Sequence, residues 1–80
     1  MDTRATIANR IEALCKERNI TINALSYISG VSNSTIKGIF YKRSKNPGVV
    51  TIKKLCDGFG ITLGEFFSTP EFNALEQEIK

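Results

Sequence analysis

The sequence predicts an all-α fold: a compact bundle of five short helices followed by a short C-terminal helical tail. Three observations carry that expectation. Apolar residues recur at helical spacing along nearly the whole chain, and no segment of any length alternates as a strand would. Capping residues (Asn, Thr, Ser and Gly) punctuate the apolar stripes every few turns. The 80 residues, 41% hydrophobic and 24% charged, match one ordinary soluble domain rather than a disordered or membrane-embedded chain.

The first helix is expected from about Ala5 to Arg18, with Ile7, Ala8, Ile11, Leu14 and Cys15 as its buried stripe. Asn19, a residue type that tolerates the left-handed conformation, ends it. Thr21 caps a second helix in which Leu25 and Ile28 face inward and Ser26 is small. Gly30 breaks that helix, and Ser32 caps a third that runs to about Tyr41. The stretch Lys42–Gly48 is a polar connection: Asn46-Pro47 disfavours helix and Pro47-Gly48 marks a turn.

A fourth helix follows over about Val49–Phe59, with Val49, Ile52, Leu55, Cys56 and Phe59 on one side and Gly60 at its end. Thr62 through Glu65 reads T-x-x-E, a capping box for a short fifth helix ending near Phe67. Ser68-Thr69-Pro70 is a second cap with proline at the first helical position. It opens an amphipathic segment carrying Phe72, Leu75 and Ile79. Residues 1–68 are therefore expected to form the domain and residues 69–80 a tail. Phe40, Phe59, Phe66 and Phe67 are expected in the core, because a globule this small needs them to fill it.

Charge is distributed unevenly. Residues 1–17 balance Arg4, Arg10 and Lys16 against Asp2, Glu12 and Glu17. Residues 18–56 hold Arg18, Lys37, Lys42, Arg43, Lys45, Lys53 and Lys54 without one acid, a block of +7. Residues 57–80 set Asp57, Glu65, Glu71, Glu76 and Glu78 against Lys80, and the three segments together return the net +3 of the chain. A central block free of carboxylates, followed by an acidic end, describes a face built to meet a polyanion. On charge alone nucleic acid and an anionic membrane both qualify. A membrane-surface helix needs a spare apolar face, however, and here the apolar faces are required by the core. No run approaches the roughly 18 apolar residues of a membrane span, and the N-terminus lacks the apolar stretch of a signal peptide, so a cytoplasmic address is expected.

Several chemistries find no residues to perform them. Histidine is absent, which removes the commonest metal ligand and the usual partner of a Ser or Cys nucleophile. Cys15 and Cys56 lie far apart with no second ligand at zinc-site spacing, so two small buried core residues are expected, with neither metal nor cofactor. The carboxylates are too scattered to suggest a catalytic pair, and no enzyme is expected.

Two helices of about eight residues joined by a tight turn at Gly30 make a helix-turn-helix pattern. The outward side of the third helix is read as Asn33, Ser34, Lys37, Gly38 and Tyr41. This is an acid-free set of hydrogen-bonding groups and one cation, suited to base edges beside phosphates. The ordered signatures RIEALCKERNIT, LSYISGVSNSTI, the KNP after the third helix and TIKKLCDGFGITLGEFF resemble the lambda-repressor-like, Cro/repressor or XRE type of helix-turn-helix domain over about Ile7–Phe67.

That resemblance implies a sequence-specific DNA-binding transcriptional regulator, a small bacterial or prophage repressor whose third helix reads the major groove of double-stranded DNA as a homodimer. Carried over by position, Asn33, Ser34, Lys37 and Gly38 would face bases. Thr21, Asn23, Ser32, Tyr41, Lys42, Arg43, Lys45 and Lys54 would hold phosphates. Tyr27 and Tyr41 are each able to pack a ring and hand a hydroxyl to a phosphate. The chain departs from the family pattern at Ile22, where glutamine is usual, and at Gly38, where a longer polar side chain is common. Phe72, Leu75 and Ile79, at helical spacing in the acidic third, are expected as a dimerisation stripe, with a tail folded back on its own domain as the alternative. An antitoxin-type protein-interaction module, with a toxin or antirepressor as partner, is the competing function.

Overall fold

The computed structural model describes residues 2–41 and 46–79, and every regular element among them is a helix. The elements are α1 (Thr3–Arg18), α2 (Ile22–Ser29), α3 (Asn33–Phe40), α4 (Val49–Phe59), α5 (Leu63–Phe67) and α6 (Pro70–Asn73). The all-helical expectation is met, and most boundaries follow from caps legible in the sequence. Thr21 accepts from the Ala24 N–H, Ser32 from the Thr35 N–H, and Thr62 and Glu65 close a reciprocal capping box. Asn19, Gly30 and Gly60 adopt the left-handed conformation and end α1, α2 and α4.

Two boundaries differ. α1 begins at Thr3 rather than Ala5, because the Asp2 carboxylate accepts from the Ala5 N–H at 2.7 Å and makes Asp2 the cap. At the other end α6 is a single turn. Thr69 occupies its cap position without a side-chain cap bond, and residues 75–79 adopt no regular structure. The helical spacing of Phe72, Leu75 and Ile79 is therefore not realised as a stripe. Phe72 instead packs on its own domain, with its ring centroid 4.9 Å from that of Phe67 and 6.0 Å from that of Phe66. Beyond it the tail returns to the start of the chain, where the Thr3 hydroxyl donates to the Glu78 carboxylate at 2.7 Å. The packing thus continues past Ser68, the expected boundary between domain and tail, in the manner of the fold-back alternative.

The core joins Ile7, Ile11 and Leu14 of α1 to Leu25, Ile36, Ile39, Ile52, Leu55, Phe59 and Phe66. Phe40 and Phe67 lie half-buried against it, and both cysteines are free and buried inside it. Burial pushes both thiols above their ordinary value, which makes them poor nucleophiles. Two residues expected inside are outside. Ile28 is 52% exposed, because α2 turns Leu25 rather than Ile28 to the core. Val49 is 65% exposed, because it opens α4 before the first core position at Ile52.

Three arginines of α1 fasten the other helices to it. Arg4 Nη1 donates to the Ile39 carbonyl of α3 at 2.7 Å, Arg18 Nε to the Phe59 carbonyl of α4 at 3.0 Å, and Arg10 Nε to the Phe66 carbonyl of α5 at 2.8 Å. Each cation sits at the C-terminal end of a helix, where backbone carbonyls lack intrahelical partners and the helix dipole is negative. Arg10 and Arg18 also lie over the rings of Phe66 and Phe59.

Candidate nucleic-acid interface

The unit α2–turn–α3 is held by side chains as well as by apolar contact. Ser26 donates its hydroxyl to the Val31 carbonyl at 2.6 Å, and Ser29 accepts from the Val31 N–H at 3.2 Å. Gly30, between them, has φ +73°, a conformation that costs an L side chain strain. Ser26 is thus a bonded clamp on the turn and not merely a small residue. On the far side of α2, Gly58 of α4 comes so close that a Cβ there would lie 3.1 Å from Ser29 Cβ and 3.3 Å from Ser29 Cα. α2 is therefore wedged between α3 and α4, which fixes how α3 is presented.

On α3 the exposed residues are Ser34, Thr35 and Lys37, with Ile36 and Ile39 turned to the core and Tyr41 exposed at the C-cap. The Ser32 hydroxyl contacts those of Thr35 at 2.8 Å and Ser34 at 3.2 Å, so three hydroxyls cluster where the helix begins. Two expectations for this face need correction. Gly38 is buried, because its only surface is backbone and its neighbours cover it; Thr35, which was not among the residues read as outward, is exposed in its stead. Asn33 is half-buried, and its amide oxygen is buried with no hydrogen-bond partner among the described residues. The oxygen needed for a bidentate adenine contact is thus not presented to solvent.

Of the residues expected to hold phosphates, Thr21 and Asn23 are exposed at the start of α2, and Lys54 is exposed on α4. Lys42, Arg43 and Lys45 lie outside the described residues. The +7 block is also smaller in effect than its charge count. Arg18 is engaged with the Phe59 carbonyl and with Glu17 at 3.4 Å, and Lys53 is paired with Asp57 one turn on. Among the described cations of the block, Lys37 and Lys54 have no ion-pair partner. Sequence reasoning missed Arg18 and Lys53 because a sum of charges does not say which are already neutralised. The i, i+4 spacing of Lys53 and Asp57 was the available signal.

A clamped turn carrying an exposed, carboxylate-free helix defines a helix-turn-helix domain. The comparisons with known proteins agree. A family model of the Cro/C1-type HTH DNA-binding domain matches residues 10–71, and the chain belongs to that family. Among solved structures it is similar to the prophage Lp1 protein 11, with a TM-score of 0.82 and 33% identity over 94% of this chain and 100% of that one. No curated protein matches the chain. Among the described residues no helix is long and apolar enough to cross a membrane.

Proposed function

We propose that the protein is a sequence-specific transcriptional repressor of the prophage kind, which inserts α3 into the major groove of duplex DNA and works as a homodimer without a cofactor. One observation carries this reading: the exposed side of α3 offers Ser34, Thr35 and Lys37, on a chain with no carboxylate between Glu17 and Asp57. Hydroxyls and one cation are able to contact base edges, and the absence of nearby acids leaves phosphate approach unopposed. Lys54, Tyr41, Asn23 and the hydroxyls of Thr21 and Ser32 flank that face as phosphate contacts, joined by Lys42, Arg43 and Lys45. Repression follows from occupancy of a promoter, which requires no catalytic group.

The dimer is part of the proposal because one short helix covers too few base pairs for a unique address, and paired half-sites lie about 34 Å apart or a multiple of it. Phe72 already belongs to its own domain, which leaves Leu75 and the exposed Ile79 as the tail's contribution to pairing. Truncation after Ala74 therefore tests the tail while keeping Phe72; sedimentation is expected to show a weakened dimer with unchanged helix content. Selection from random duplexes tests the whole reading. Wild type is expected to enrich a two-fold symmetric sequence, and Lys37→Ala to lose preference at defined positions within it. Enrichment of no sequence would leave a protein-interaction module as the better account.

A further inference from the structure

The helix proposed to read DNA is only eight residues long, and its two ends are held differently. Its N-terminal end is fixed by the Ser26–Val31 bond and the Ser32 cap. Its C-terminal end has no left-handed cap residue; Tyr41 closes it with φ −101° and ψ 22°. The connection to α4 is polar in sequence, and the next element among the described residues begins at Val49. Ile39 is buried in the core at this end and Phe40 packs against it. Among the described residues the polar anchor that reaches it from elsewhere in the fold is the guanidinium of Arg4, donating to the Ile39 carbonyl at 2.7 Å across 35 positions of chain. Arg4 is itself steadied. Its side chain is 11% exposed, its Nη2 lies 3.9 Å from Asp2 Oδ1, and that same carboxylate oxygen caps α1.

Resting on the proposed function, we infer that Arg4 is a positioning residue for DNA recognition: it touches no base, but it sets the angle at which α3 enters the groove. An eight-residue helix is a lever of about 12 Å. Without the Arg4 bond its C-terminal end is left to the packing of Ile39 and Phe40, and a shift of about 1 Å there, pivoting about the clamped turn, is enough to misplace Lys37. Recognition geometry tolerates on the order of 0.5 Å. A charge-assisted bond in a largely buried setting is the strong kind of hydrogen bond, and its planar donor is poorly replaced by an ammonium.

The fold supplies its own controls. Arg10 and Arg18 make the same kind of bond to α5 and α4, neither of which is the reading helix. The experiment compares Arg4→Met, Arg10→Met and Arg18→Met on the duplex that wild type selects and on a scrambled duplex, at a temperature where circular dichroism shows each variant fully folded. Arg4→Met is expected to lower the specific-to-non-specific affinity ratio about tenfold, the factor carried by a single lost base contact, with non-specific affinity and its salt slope unchanged. Arg4→Lys, which keeps one donor, is expected to recover part of the ratio, and it carries the comparison if Arg4→Met does not fold. Arg10→Met and Arg18→Met are expected to lower Tm and keep the ratio within about twofold. The inference is overturned if the Arg4 variants keep the wild-type ratio, or if all three arginines move it equally. A wild-type chain that selects no sequence overturns the DNA reading itself, and the inference with it.

Discussion

At the scale of single residues, Gly58 and Asn33 show opposite tensions between stability and presentation. Gly58 sits in the interior of α4, where glycine costs about 1 kcal/mol relative to alanine. A methyl group there meets the Cβ and Cα of Ser29 at 3.1 and 3.3 Å, and a backbone atom moves only if α2 moves with it. Overpacking of this kind costs about 1–3 kcal/mol, so Gly58→Ala is expected to be destabilised by about 1 kcal/mol net, measurable by urea unfolding. Asn33 runs the other way. Its buried amide oxygen has no partner among the described residues, a situation that costs about 1–3 kcal/mol. Asn33→Ala is accordingly expected to raise stability by about 1 kcal/mol, shown by a higher Tm.

At the scale of elements, short helices survive here because their ends are satisfied. α5 has five residues and stands on its capping box and on Arg10, which donates to the Phe66 and Glu65 carbonyls. The Thr62 N–H, bonded to the Glu65 carboxylate at 3.0 Å, and the Thr62 side chain hold the Glu65 carboxyl below its ordinary value of 4.5. Because the folded value is the lower one, this contribution is complete above the ordinary value and drains away as pH falls through the folded one. Glu65→Gln keeps the reciprocal bond without the titration. Unfolding measured from about pH 6 to pH 3 is therefore expected to show wild type losing stability relative to Glu65→Gln, and a constant difference would refute the assignment. α6, lacking such a bonded cap, ends after one turn and is held by the contact of Phe72 with Phe66 and Phe67.

At the scale of the molecule, the arginines and lysines divide their work. Arg4, Arg10 and Arg18 face inward to helix ends, while Lys37 and Lys54 face out unpaired among the described residues. If each subunit places three or four cations among phosphates, the log–log salt slope of a dimer is expected to be on the order of −6. Titration of binding against salt measures it directly. Arg18→Met is expected to leave that slope unchanged, since its charge is spent within the fold; Lys54→Ala is expected to flatten it by about one unit. A slope near zero would remove the polyanion face.

The sequence by itself determined the helices, most of their ends and the class of the protein. Those features are local: Thr21, Ser32, Thr62, Asn19, Gly30 and Gly60 act on backbone groups within four residues of themselves. The tertiary structure alone decided which polar groups were left for a partner. The spacing of Phe72, Leu75 and Ile79 was read as a helical stripe, but the ring of Phe72 gains more from Phe66 and Phe67 than from solvent, and the helix stops. Gly38 was assigned to the open face by angle, and the packing encloses it. The bonds of Arg4, Arg10 and Arg18 span 35, 56 and 41 positions, and no local pattern announces them. A cap is chosen by its neighbours in sequence, whereas a buried donor is chosen by whichever unsatisfied carbonyl the folded chain brings to it.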